Sequence, residues 1–144
     1  MAVDVLTEIE IARPPEEVAA FAGDPTRVPE WYVNIKSVEW ETSPPVAVGS
    51  RIAFVAHFLG RRIAYTYEVR ELVPAARLVM STAEGPFPME TTYTWEPAGT
   101  GTRMTLRNRG EPTGFSSVMA PLMAIMMRRA NNADLAKLKR VLEG

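Results

Sequence analysis

Val3, Val5, Thr7, Ile9 and Ile11 alternate with Asp4, Glu8, Glu10 and Ala12. A period of two places one set on a buried face and predicts a half-buried strand. Arg13-Pro14-Pro15-Glu16-Glu17 then opens a helix, because proline suits a first turn and the glutamates favour its positive end. Val18, Phe21 and Ala22 supply its buried face, and Gly23-Asp24-Pro25 stops it. A second short helix is expected from Thr26 to about Tyr32.

From Ser37 to Gly110 the period of two returns. Val38 to Thr42 alternates and ends at Pro44-Pro45. Arg51 to Leu59 and Arg62 to Leu72 flank Leu59-Gly60-Arg61, a short loop with the glycine that a hairpin favours. Ile52, Phe54, Ala56 and Phe58 form one inward set; Ile63, Tyr65, Tyr67 and Val69 form the next. A short strand over Arg77 to Thr82 is broken by Gly85-Pro86-Phe87-Pro88. Met89 to Glu96 turns Met89, Thr91, Tyr93 and Trp95 to one side. After the Ala98-Gly99-Thr100-Gly101 turn, Thr102 to Arg109 does the same with Met104, Leu106 and Asn108. These are consecutive hairpins, hence an antiparallel meander.

Phe115 to Leu142 reads as one helix, roughly 40 Å long at about 1.5 Å per residue. Leu135, Leu138 and Leu142 mark its core stripe, continued backward by Asn131, Met127, Ala124 and Ala120. Pro121 either kinks it near the start or marks where regular helix begins. The order is β-α-α-β6-α: an α+β domain spanning 1–144, with a seven-stranded curved antiparallel sheet wrapped around a long C-terminal helix. Each layer must bury one face on the other. A bowed sheet does not close snugly on a straight rod, so a cavity between them is expected.

Composition narrows the chemistry. Of 144 residues, 47% are hydrophobic and 23% charged, as in soluble globular proteins. A net charge of -1 supplies no field for phosphate backbones, which argues against nucleic acid as partner. No cysteine and a single histidine, His57, leave no thiolate nucleophile and no multi-histidine metal site. The aspartates Asp4, Asp24 and Asp134 lie far apart in the chain, and neither a metal nor a cofactor is implied. The N-terminus lacks the basic and apolar segments of a signal peptide, and Phe115 to Met127 falls short of a bilayer span. A cytoplasmic protein without integral membrane contact is expected.

The sequence resembles the START-like superfamily (SRPBCC, helix-grip) of polyketide cyclases and dehydrases, lipid-transfer domains and plant ligand-binding allergens. The resemblance is carried by the opening strand with Arg13-Pro14-Pro15-Glu16-Glu17-Val18, by Pro29-Glu30-Trp31-Tyr32 and by Val48-Gly49-Ser50-Arg51. Further on, the Gly60-Arg61 hairpin, Tyr67-Glu68-Val69, Thr91-Thr92-Tyr93-Thr94-Trp95 and Leu135-Ala136-Lys137-Leu138-Lys139 complete it. It runs nearly end to end and implies the helix-grip fold with a small hydrophobic ligand, such as a lipid, polyketide or aromatic metabolite.

Candidate ligand contacts are the inward rings Tyr65, Tyr67, Tyr93 and Trp95, with Met89, Thr91 and Met104 between them. Rings there either stack on a ligand or fill the core. Met119, Met123 and Met127 lie four apart on the front of the long helix, where flexible thioethers adapt to irregular shapes. Asn108 and Asn131 face inward by periodicity and require a hydrogen-bond partner there, of which a ligand is one kind. His57 faces outward by alternation, against a catalytic role. Glu71, Glu90, Arg61, Arg62, Arg107 and Arg109 either guard a cavity mouth or form a solvated sheet face. Ser116 and Ser117 lack a histidine base and suit helix capping.

Three functions stay open: a binding or carrier protein; a cyclase or dehydratase positioning its substrate through Tyr65, Tyr67, Tyr93 and Asn108; and an interaction module. The last rests on an exposed-looking Trp31, Tyr32 and Trp40 cluster and includes homodimerisation.

Overall fold

The computed structural model describes residues 3–58, 60–85, 88–111 and 119–144, apart from the side chains of Phe58, Met119 and Ala120. The elements are β1 (Val3–Ile11), α1 (Pro15–Ala22), a 3-10 turn (Pro25–Arg27), α2 (Val28–Trp31), β2 (Ile35–Trp40), β3 (Arg51–Phe58), β4 (Arg61–Val73), β5 (Arg77–Glu84), β6 (Met89–Ala98), β7 (Gly101–Gly110) and α3 (Met119–Glu143). All seven strands form one antiparallel sheet in the order β1-β7-β6-β5-β4-β3-β2. The expected meander is present from β2 to β7, and β1 joins it beside β7 with Val3 opposite Gly110 and Ile11 opposite Thr102. The helix-grip architecture expected from the pattern is therefore the observed one.

Local chemistry accounts for the boundaries. Pro14 and Pro15 open α1, with Glu16 and Glu17 in its first turn. β2 starts at Ile35, earlier than alternation suggested. It ends at Trp40 because the Arg51 N–H beyond it donates to Thr42 Oγ1 at 3.0 Å instead of continuing the ladder. The β6–β7 hairpin turns at Gly99, whose φ of 62 suits the glycine-first two-residue turn. Next to it β7 begins so close to β1 that a Cβ on Gly101 would lie 2.3 Å from the Ile11 carbonyl oxygen.

Register shifts between Val69 and Glu71 and between Thr66 and Tyr67 interrupt the β4–β5 ladder. Such bulges bend strands and increase twist, which wraps the sheet about α3. They also change phase: Thr66 and Tyr67 are both buried, and the inward set passes from Val69 to Leu72.

α3 lies along β1 and is tied to it through backbone carbonyls: Arg128 donates to Leu6 O at 2.9 Å and Lys139 to Glu10 O at 2.8 Å. Its buried stripe runs through Met123, Asn131, Leu135 and Leu138. Pro121 stands in the first turn of α3 as bounded, where a missing N–H breaks no helical bond. The expected helical stretch 115–118, with the capping role for Ser116 and Ser117, lies outside the described residues. So do Leu59 in its turn and Pro86-Phe87. Among the described residues no helix is long and apolar enough to cross a membrane.

Candidate functional site

The apolar interior forms two clusters. The larger joins Val18 and Trp31 to Leu78, Tyr93, Leu135 and Leu138; the smaller groups Val3, Val5 and Met123, with Met89 and Met127 against it. Between them lies a cavity of about 140 Å³ whose lining draws on both. β4 contributes Ile63, Tyr65 and Tyr67, β6 contributes Met89, Thr91 and Tyr93, and β7 contributes Asn108. α3 covers them with Met123, Met127, Ala130, Asn131 and Asp134.

Most of the expected contacts therefore meet in one place: Tyr65, Tyr67, Met89, Thr91, Tyr93, Asn108, Met123, Met127 and Asn131. Two do not. Trp95 packs beneath the end of α1, close enough that a Cβ on Gly23 would be 3.3 Å from its ring. Met104, opposite Ile9 on one side and Trp95 on the other, is fully enclosed by the sheet core. Both face inward, as alternation requires, but at the end of the sheet that is filled. The Met119 side chain lies outside the described residues.

The outward assignments follow the same alternation. His57 is exposed. Glu71 pairs with Arg77, Glu90 with Arg109 and Asp4 with Arg107 on the surface. Arg109 also borders the cavity, while its guanidinium is paired with Glu90 on the surface. The surface cluster suggested for protein contact is absent. Trp31 is fully buried, with its ring 4.3 Å from that of Tyr32, and Trp40 is half-buried with its indole N–H on Thr26 Oγ1.

Two polar arrays interrupt the apolar lining. In the first, the Tyr67 hydroxyl donates to Thr91 Oγ1 at 2.7 Å, and Thr91 in turn donates to Asn108 Oδ1 at 2.7 Å. The second was not foreseen from sequence. It joins the Tyr32 and Tyr93 hydroxyls at 2.7 Å and adds Asp134, whose Oδ1 accepts the Val33 N–H at 2.9 Å. Asp134 is 2% exposed and Asn131 5%, and the Asn131 Nδ2 is enclosed without a hydrogen-bond partner.

Burial governs the titration of these groups. It pushes the Asp134 carboxyl up to about 6, against the pull of the Val33 N–H and the Lys137 charge. It pushes Tyr67 up to about 12, opposed by the bond with Thr91. Tyr32, Tyr65 and Tyr93 are likewise raised well above the ordinary phenol value, first by burial, with the Asp134 charge adding to it. At neutral pH the lining thus offers protonated phenols and one largely ionised carboxylate.

Over residues 2–143 the sequence matches the model of the family described as polyketide cyclase / dehydrase and lipid transport. The chain belongs to that family. Among solved structures, TTHA0849 from Thermus thermophilus is 25% identical with a TM-score of 0.83, covering 95% of this chain and 94% of that one. A START superfamily protein from Mycobacterium smegmatis is 15% identical with a TM-score of 0.83, covering 97% of each chain. The Zhui aromatase/cyclase from Streptomyces sp. R1128 is 16% identical with a TM-score of 0.81, covering 99% of this chain and 94% of that one. The last two likenesses carry the fold. No protein of curated function matches the sequence. In this polyketide cyclase / dehydrase and lipid transport family member, two polar arrays interrupt the apolar cavity lining.

Proposed function

We propose that the protein takes up a small, mainly apolar molecule in the cavity between the sheet and α3. The carrying observation is the void itself, about 140 Å³, between two apolar clusters that share Met89 at their border. An apolar cavity of roughly 150 Å³ holds a benzene ring, so one ring with a short substituent fits the space as it stands. Met80, Met89, Met123 and Met127 in the lining have unbranched side chains that can repack. A lipid or polycyclic ligand requires that repacking; a single ring does not. Calorimetric titration with ethylbenzene, beside native mass spectrometry of the purified protein, tests the reading. One equivalent should bind to the native protein and none to Ala130→Phe, which fills the cavity. A native protein that takes up nothing overturns it.

A second reading, an enzyme of the cyclase or dehydratase kind, draws on Asp134. A carboxylate of pKa about 6 is suited to remove a proton α to a ligand carbonyl, whose oxygen a phenol would hold. The proton then passes from the carboxyl to a departing β-hydroxyl, releasing water as the carbon–carbon double bond forms. Turnover of a β-hydroxy ketone should fall about 100-fold or more in Asp134→Asn with KM little changed. Equal turnover by the variant eliminates this reading.

A further inference from the structure

Asp134 is a buried acid without a counter-ion. One of its oxygens takes the Val33 N–H; the other meets no donor among the described residues, and no ion pair there includes it. Among the described residues its only cationic influence is Lys137, on its own helix, acting through space. Anchoring the chain after α2 does not require a charge, since a neutral Asn would accept the same N–H without burying one. An ionised carboxylate on the cavity wall is stabilised by any cation that comes to lie against it.

Its surroundings suit the missing half. Tyr32 from the end of α2, Tyr65 from β4 and Tyr93 from β6 all sense its charge. Their rings belong to a larger aromatic wall in which Phe54 stacks on Tyr65 at 5.6 Å and Tyr67 meets Tyr65 edge-on at 4.9 Å. The faces of neutral aromatic rings attract cations, and ammonium groups are held where several rings converge. Arg109, the one cationic residue among the described residues of the lining, has its guanidinium paired with Glu90 on the surface. The unpartnered Asn131 Nδ2, one helical turn before Asp134, is itself a donor and so adds no second partner for an ammonium.

We propose that the cavity selects an amine, its protonated nitrogen paired with Asp134 among the tyrosine rings and its small apolar body against the methionines. This rests on the cavity-binding reading above and specifies the ligand class. An ammonium that enters completes a pair with a charge that folding has already buried.

The probes are benzylamine and ethylbenzene, which differ by an ammonium in place of a methyl group. Titrated calorimetrically at about pH 7.5, benzylamine should bind the native protein at least about tenfold more tightly. Asp134→Asn should erase that preference and still bind ethylbenzene. In the native protein the preference should also shrink as pH falls from 7.5 to 5 and the carboxyl is protonated; this series needs no variant and decides the matter if Asp134→Asn fails to fold. Equal or tighter binding of ethylbenzene, or a preference that survives in Asp134→Asn, overturns the amine assignment and leaves cavity binding standing. Binding of neither probe overturns both.

Discussion

The Tyr32 and Tyr93 hydroxyls meet at 2.7 Å across 61 residues of chain, with the Trp31 ring packed against both side chains. A residue that follows the short second helix is thereby tied to the middle of the sheet, and the cavity gains a wall. Removing either hydroxyl leaves the other enclosed without that partner. Tyr32→Phe and Tyr93→Phe should each lower stability by about 0.5–1.5 kcal/mol in urea denaturation. The double variant should lose less than the sum of the two, since it strands no hydroxyl.

Asp134 gives stability a dependence on pH opposite to that of most carboxylates. Its pKa rises from the ordinary 3.8 to about 6 on folding, so the folded state holds its proton more tightly. Stability from this group is complete below about pH 3.8 and is lost as pH rises through 6, by roughly 3 kcal/mol at most. Asp4 and Glu143, lowered by Arg107 and Lys139, act in the other direction, with stability lost as pH falls through their folded values. Comparing Asp134→Asn with the native protein cancels those common contributions. The variant should gain relative stability between about pH 4 and 7, measured as the difference in urea midpoints.

Thr91 is the middle of a relay, accepting from Tyr67 and donating to Asn108. Thr91→Val keeps the shape and removes both bonds. A loss of about 1–3 kcal/mol is expected from the stranded Tyr67 hydroxyl and Asn108 carbonyl. Weaker uptake of a polar ring such as phenol, with ethylbenzene uptake retained, would place the relay in ligand contact.

The stripe of α3 separates core from surface within a few turns. Leu138 is fully buried, whereas Leu122 is 46% exposed. Leu138→Ala should lower stability by about 2–5 kcal/mol, and Leu122→Ala should stay within about 0.5 kcal/mol. Thermal unfolding of the two variants side by side checks the helical phase on which every α3 assignment depends.

That phase was legible because Leu135, Leu138 and Leu142 recur at helical spacing, and it correctly turned Asn131 inward. Alternation likewise put Tyr65, Tyr67, Tyr93 and Asn108 on the concave side. Periodicity reports a face and not what stands opposite it, and here it could not separate Tyr93 from Trp95. One meets the void and the other the underside of α1, a difference decided by where α1 lands on the sheet. Asp134 was missed because a carboxylate beside a leucine stripe usually belongs to the solvated flank. The available signal was its place one turn after Asn131, next to Leu135. Tyr32 carried no period at all, since four helical residues before it are too few to define a face.

Pairing β1 with β7 has a consequence for how the chain acquires its shape. β1 is made well before β7, the strand it pairs with, and α3, which clamps it, is made later still. Closure therefore depends on contacts separated by most of the sequence, the condition under which small domains assemble slowly. Until β7 arrives, the alternating valines and isoleucines of β1 form an open, sticky edge, so expression yield should respond to substitutions there more than final stability does.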